Sequence, residues 1–181
     1  MPTMTLTVTG VTSAHGLWLT SSGTHVDTLG SDDGTTSAGS SYSHCSSIGR
    51  EIGGISMSNP TVAEGDMDAT NPITSVRFLA TGRHPSRGSG GADVDISFAV
   101  PLGFTETLNF FNNVNYEVEY GTTRTTDPFG GDWEYSDIEN LEFNILSSSD
   151  PIHLAYFAVE VVYLSAAVTT TTNATFFGAN F

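Results

Sequence analysis

The residues of this chain able to do chemistry are five histidines, one cysteine and twenty carboxylates. The histidines stand at 15, 25, 44, 84 and 153, and no two have the His-x-x-x-His spacing that sets both imidazoles on one helical face for zinc. Ser43-His44-Cys45 places a hydroxyl, a base and a thiol side by side. Neighbours in an extended chain point to opposite faces, so this adjacency argues against a shared catalytic site. There is no Gly-x-Ser-x-Gly nucleophile elbow, and no basic helix start follows Gly88-Ser-Gly-Gly91 to make it a phosphate cradle. The expectation is a protein that is not an enzyme, with no catalytic residues.

The carboxylates are the remaining chemical group. Asp66 and Asp68, and Asp127 and Asp132 beside Trp133, are candidate oxygen ligands for calcium, with Asp32 and Asp33 able to join them. None follows the EF-hand pattern, and solvated loops with Asx-turns are the favoured reading of the same residues. No cofactor is expected; calcium is the one cation these groups suit. Glu117 and Glu119 lie on one strand face, as a glycosidase pair does, but two exposed acids on one face more often serve solubility. Trp133 and Tyr135 are the candidate glycan-binding residues, since an exposed aromatic pair can stack on a sugar ring. Packing of the indole to anchor its own turn is the favoured alternative. Asn173-Ala-Thr175 is a formal glycosylation sequon.

Charge narrows the partners. Lysine is absent, and five arginines face twenty acids for a net charge of -15. Phosphate binding needs a basic surface, so nucleic acid is excluded as a partner, and anionic membranes are disfavoured for the same reason. The single Cys45 allows no intrachain disulfide and no cysteine-based zinc site. The start, Met-Pro-Thr-Met-Thr-Leu-Thr-Val, has neither the basic nor the apolar region of a signal peptide. Glu160 interrupts the best apolar run, so membrane insertion is not expected. Synthesis in the cytoplasm is the expectation, with exit by lysis or within an assembled particle.

The elements that must position these residues read as strands. Thr5–Thr9, Leu17–Leu19, Ile48 to Ile55, Ser75–Thr81, Asp93–Val100, Leu108 to Phe110, Tyr116–Tyr120, Leu141–Ile145 and Leu154–Leu164 are apolar or alternating segments separated by turn residues. In the last of them Phe157, Val159, Val161 and Tyr163 form one face, and Leu154, Tyr156, Ala158, Glu160 and Val162 the other. Both faces are largely apolar, which makes this strand central. Ser136-Asp-Ile-Glu139 has capping-box spacing and predicts one helical turn near 136–140. About eight short strands with regular turn signals predict an all-β, antiparallel β-sandwich, with a jelly roll the expected topology. Residues 1–165 form the expected single domain, with a long Ser/Gly-rich loop at about 29–47. Residues 166–181 read as an extended arm, whose Phe176, Phe177 and Phe181 suit docking on a neighbouring subunit.

One stretch carries a resemblance. Tyr120-Gly-Thr, Thr126-Asp-Pro, Gly130-Gly-Asp-Trp133, Ser136-Asp-Ile-Glu-Asn-Leu-Glu-Phe143 and the ending Val-Glu-Val-Val-Tyr163 together resemble jelly-roll, lectin-like sandwich domains from structural proteins of tailed bacterial and archaeal viruses. Leu19-Thr-Ser-Ser-Gly-Thr and the Asp-rich Leu29-Gly-Ser-Asp-Asp-Gly resemble that family's early strand and loop, and Ile73-Thr-Ser-Val76 its next strand. Glu134 departs from the family's usual Thr, and the Phe-ended arm is outside the pattern. The resemblance implies a virion component, such as a capsid decoration, a turret or spike, or a tail or fibre subunit. The partners it implies are further copies of this chain as a homo-oligomer, other virion proteins and, in a lectin-like variant, a host surface glycan.

Overall fold

The computed structural model describes residues 1–30, 41–60, 67, 69–85, 91–100, 105–112, 114–148 and 151–164. In chain order the elements are β1 (Thr3–Ala14), β2 (Trp18–Thr20), α1 (His25–Leu29), β3 (Ser43–Cys45), β4 (Arg50–Met57), β5 (Ile73–Arg83), β6 (Ala92–Val100), β7 (Thr105–Phe110), β8 (Glu117–Tyr120), α2 (Tyr135–Glu139), β9 (Glu142–Ser147) and β10 (Ile152–Tyr163). Every strand pairing among them is antiparallel. The all-β antiparallel sandwich expected from the sequence is the observed fold. No helix among the described residues is long and apolar enough to cross a membrane.

β1 belongs to both sheets. Its first half, where Met4, Leu6 and Val8 alternate inward between threonines, pairs with β10. After a register break between Val8 and Gly10 its second half pairs with β4. The first sheet continues from β10 to β5 and β8, with β3 and β2 added beside the start of β10. The second runs from β4 through β9 and β6 to β7. Their inner faces meet on four fully buried phenylalanines, one each from β5, β6, β9 and β10. Phe98 and Phe143 have ring centroids 4.8 Å apart, and Phe78 meets Phe143 edge-on at 5.1 Å. Phe157 closes the group against Phe143 at 5.6 Å, and such tilted and edge-on contacts add to the burial energy of each ring.

β10 is central, as its sequence predicts, but one residue changes face. A bulge between Leu154 and Tyr156 shifts the register against β5. An extra residue reverses the side-chain alternation. Leu154 therefore joins Ile152, Phe157, Val159, Val161 and Tyr163 in the main core, whereas strict alternation sets it with Tyr156 and Ala158. Tyr156 and Ala158 form a second apolar cluster with Leu79 on the outer face of the first sheet.

Three further details depart from the sequence reading. The stretch read as a loop from 29 to 47 contains β3, and Leu29 is a buried core residue at the end of α1. α1 is a helical turn that alternation conceals; its signal is Thr24-His-Val-Asp27, where Thr24 Oγ1 accepts from the Asp27 amide and Asp27 Oδ2 accepts from the Thr24 amide. α2 starts at Tyr135, and its N-cap is Glu134, two residues before the predicted Ser136. Its reciprocal contact is from the Glu134 amide to Asp137 Oδ2 at 2.8 Å, not between Ser136 and Glu139. The arm at 166–181 lies outside the described residues.

Candidate functional site

Trp133 is 4% exposed. The turn after β8 delivers it over the open end of the core, where its ring lies 6.0 Å from Phe98 and its Nε1–H donates to the Arg124 carbonyl at 3.1 Å. An indole held this way anchors the turn, and its faces are not offered to a sugar. Tyr135 packs against the same core from α2, and its Oη is buried without a hydrogen-bond partner among the described residues. The two aromatics line an open groove of about 490 Å³ together with Glu134, Ser136, Asn71 and Pro72.

The carboxylates singled out by type divide by role. Asp127 Oδ1 accepts from the amides of Phe129 and Gly131 at 2.7 and 3.0 Å, an Asx-turn that folds the Asp-Pro-Phe-Gly-Gly loop. Asp132 is exposed two residues before α2's N-cap, and Asp66 and Asp68 lie outside the described residues. Among the described residues no group of three or more His, Cys, Asp or Glu is placed to hold a metal ion. Glu117 does not face open solvent. Its Oε1 accepts from the amides of Phe111 and Asn112 and closes the loop between β7 and β8. Burial, and then the nearby Glu117 charge, raises the Glu119 carboxyl above its ordinary range. Phe176, Phe177 and Phe181 lie outside the described residues.

Three of the five histidines, His25, His44 and His153, are brought together by the fold. β3 pairs with the start of β10 so that His44 and His153 are direct cross-strand partners. Ser43 and Cys45 point inward and His44 outward, which separates the three neighbours as an extended chain must. Ser43 Oγ lies 2.5 Å from Thr28 Oγ1 and 2.9 Å from His25 Nδ1, tying α1 to β3. On the outer face the His153 ring stacks on Tyr42, with centroids 4.3 Å apart and planes 10° apart, and lies 5.5 Å from His44. Arg83, opposite His153 on β5, places Nη2 3.4 Å from His153 Nδ1 and its guanidinium 5.0 Å from the centre of the Tyr116 ring. A guanidinium only donates, so His153 Nδ1 accepts and the imidazole carries its proton on Nε2. Burial, followed by the Arg83 and His44 charges, pushes the His153 pKa down to about 4. Burial also lowers His44, and His25 is lowered mainly by burial, against a hydrogen bond to the Trp18 backbone that raises it.

Spacing along the chain does not reveal this cluster, because β3 and β10 are far apart in sequence and meet through register. The signal available was Tyr42-Ser-His44, a polar-aromatic alternation inside a stretch otherwise made of loop residues. No protein-family model matches the chain, and no curated protein matches it.

Proposed function

We propose that this chain is a non-enzymatic structural protein of a virion, a jelly-roll-type domain that acts by assembling with further copies of itself and with other particle proteins. The observation that carries the assembly reading is the surface around β8. Phe111, Val114, Val118 and Tyr120 are 72%, 65%, 43% and 51% exposed within ten residues of chain, at a short edge strand whose only partner among the described residues is β5. Scattered exposed apolar residues are ordinary on a monomer; a group of them along one sheet edge suits a contact. The chain's net charge of -15 repels copies at a distance, so a contact between copies belongs on a charge-poor surface. Glu117 fits that requirement by turning its carboxylate onto the Phe111 and Asn112 amides. The virion setting rests on the sequence resemblance, and with it the expectation of a position on the outer surface or tail. Peptide mass spectrometry on density-purified extracellular particles tests it. Abundant peptides at a fixed ratio to the major capsid protein are expected; a chain found only free or on cells refutes the setting.

The groove beside Trp133 favours a second reading, a glycan-binding module. Its volume of about 490 Å³ lies in the range of ligand pockets, and Tyr135, one of its lining residues, has a buried hydroxyl with no partner among the described residues. Weak binding of a neutral saccharide, lost in Tyr135→Phe with the fold intact, is the expected result of that reading.

A further inference from the structure

Four arginines are described, and the fold treats them unequally. Arg77 is neutralised by Glu160 at 2.5 Å and Arg124 by Glu106 at 3.3 Å. Arg50 has no carboxylate partner among the described residues, and neither has Arg83, although it belongs to a chain with twenty acids. Its Nη1 donates to the Val114 carbonyl at 3.1 Å and its Nη2 reaches His153, while its Nε is buried with no partner among the described residues. His44 Nδ1, beside it, is likewise buried and unpartnered. The charges that act on His153 are those of Arg83 and His44, both of which disfavour a proton there. His25 is disfavoured in turn by His44. Arg83 is thus a cation with no carboxylate partner among the described residues, set against His153 on a chain of net charge -15.

Leaving a guanidinium partly buried without a counter-charge, and Arg83 Nε and His44 Nδ1 without hydrogen-bond partners among the described residues, is costly. An anion at the rim of the Tyr42–His153 stack would offset that cost. We propose that Arg83, His44 and His153, framed by Tyr42 and Tyr116, form a binding site for a small oxyanion group, a carboxylate or sulfate borne on a ligand or free. Arg83 supplies the permanent charge. The two imidazoles supply charge on demand, because an anion beside them favours their protonated forms. Binding is therefore coupled to proton uptake and strengthens as pH falls. The groups facing His153 are Arg83 from β5, His44 and Tyr42 from the β3 side, and Tyr116 ahead of β8, with His25 on α1 behind His44. The site adjoins the assembly surface around β8 through Val114 and Tyr116, and shares no residue with the groove at Trp133.

The test follows the imidazole resonances of the full-length, isotopically labelled chain by NMR. Titrating pH in sodium sulfate and in sodium chloride at matched ionic strength is expected to raise the His153 midpoint in sulfate by about one pH unit, with a smaller rise for His44. At fixed pH, sodium glucuronate is then compared with glucose, so that a ring-borne carboxylate is separated from the free ion and from the sugar. Saturable movement with glucuronate alone assigns a carboxylate on a ring, with sulfate alone a free oxyanion, and with both the shared group; each supports the site. Absence of a saturable shift with either anion overturns it, as does an equal shift with glucose. Arg83→Gln, its fold checked by circular dichroism, is expected to abolish the response, and an unchanged response also overturns it. Should Arg83→Gln not fold, the sulfate and chloride comparison on the unaltered chain decides alone.

Discussion

Tyr42 and His153 lie face to face, with ring centroids 4.3 Å apart and planes 10° from parallel, and Arg83 meets the same imidazole edge-on. Burial in this arrangement, followed by the Arg83 and His44 charges, disfavours a proton on His153 and sets the sign of a pH dependence. The folded-state pKa of about 4 lies below the ordinary 6.5, so the unfolded chain takes up a proton that the folded chain resists. Stability contributed by the neutral ring is full above pH 6.5 and is lost as pH falls to about 4, below which the loss levels off. His44 and His25 shift in the same direction. Melting temperature measured between pH 7 and pH 5 is expected to fall, and His153→Gln to flatten that slope. An unchanged slope in the variant would refute the assignment.

How far the sequence foretold this molecule depends on the range of the interaction. β6 shows alternation that local patterning displays directly, with Val94, Ile96 and Phe98 buried between Asp93, Asp95 and Ser97. β10 was legible as a central strand, but the bulge that sends Leu154 into the core has no Gly or Pro to announce it. β3 was read as loop because three residues with polar neighbours carry almost no period; only pairing with β10 makes them a strand. The histidine cluster was illegible for the same reason, since register between distant strands sets it. Trp133 was legible in both kind and place: a turn of Asp, Pro and Gly needs an anchor, and the indole supplies it.

Trp133→Ala removes a buried ring and the donor to the Arg124 carbonyl. A loss of about 3–5 kcal/mol is expected, as for other buried aromatic truncations. Urea unfolding followed by circular dichroism measures it. A variant within 1 kcal/mol of the parent would mean that the indole is not the anchor of its turn.

Asp127 separates a turn role from a calcium role. Asp127→Asn keeps the side-chain oxygen that accepts from Phe129 and Gly131, while Asp127→Ala loses it. The Ala variant is expected to lose about 1 kcal/mol and the Asn variant much less. Equal losses in the two variants, together with a calcium-dependent rise in melting temperature of the parent only, would instead assign the carboxylate charge to a metal.

Gly54 sits in β4 at a register break between Ile52 and Ile55, with φ +62°. A Cβ there would stand 2.6 Å from Thr12 Oγ1, and the Gly54 amide is held by Asn144 Oδ1 at 3.0 Å. The backbone cannot rotate away without losing that bond. Gly54→Ala is expected to cost about 1–3 kcal/mol, or roughly 2–12 °C in melting temperature for a chain of this size. A melting temperature equal to the parent's would show that β4 relaxes freely at this point.

Val118 and Tyr120 decide the assembly reading. Both project from β8 on the outer face of the first sheet, and Arg77, 4.3 Å from the centre of the Tyr120 ring, is already neutralised by Glu160. The patch therefore presents apolar and aromatic surface with little free charge. Val118→Glu adds a carboxylate to a protein that already repels its copies, and does so where the side chain is exposed, so the fold has little to lose. Self-association measured by light scattering is expected to weaken about tenfold or more, with melting of the isolated subunit unchanged. A parent chain that stays monomeric at high concentration would remove the case for homo-assembly through β8. An oligomer indifferent to Val118→Glu would move the contact to another face, because a buried carboxylate at the centre of an apolar contact cannot be neutral in energy.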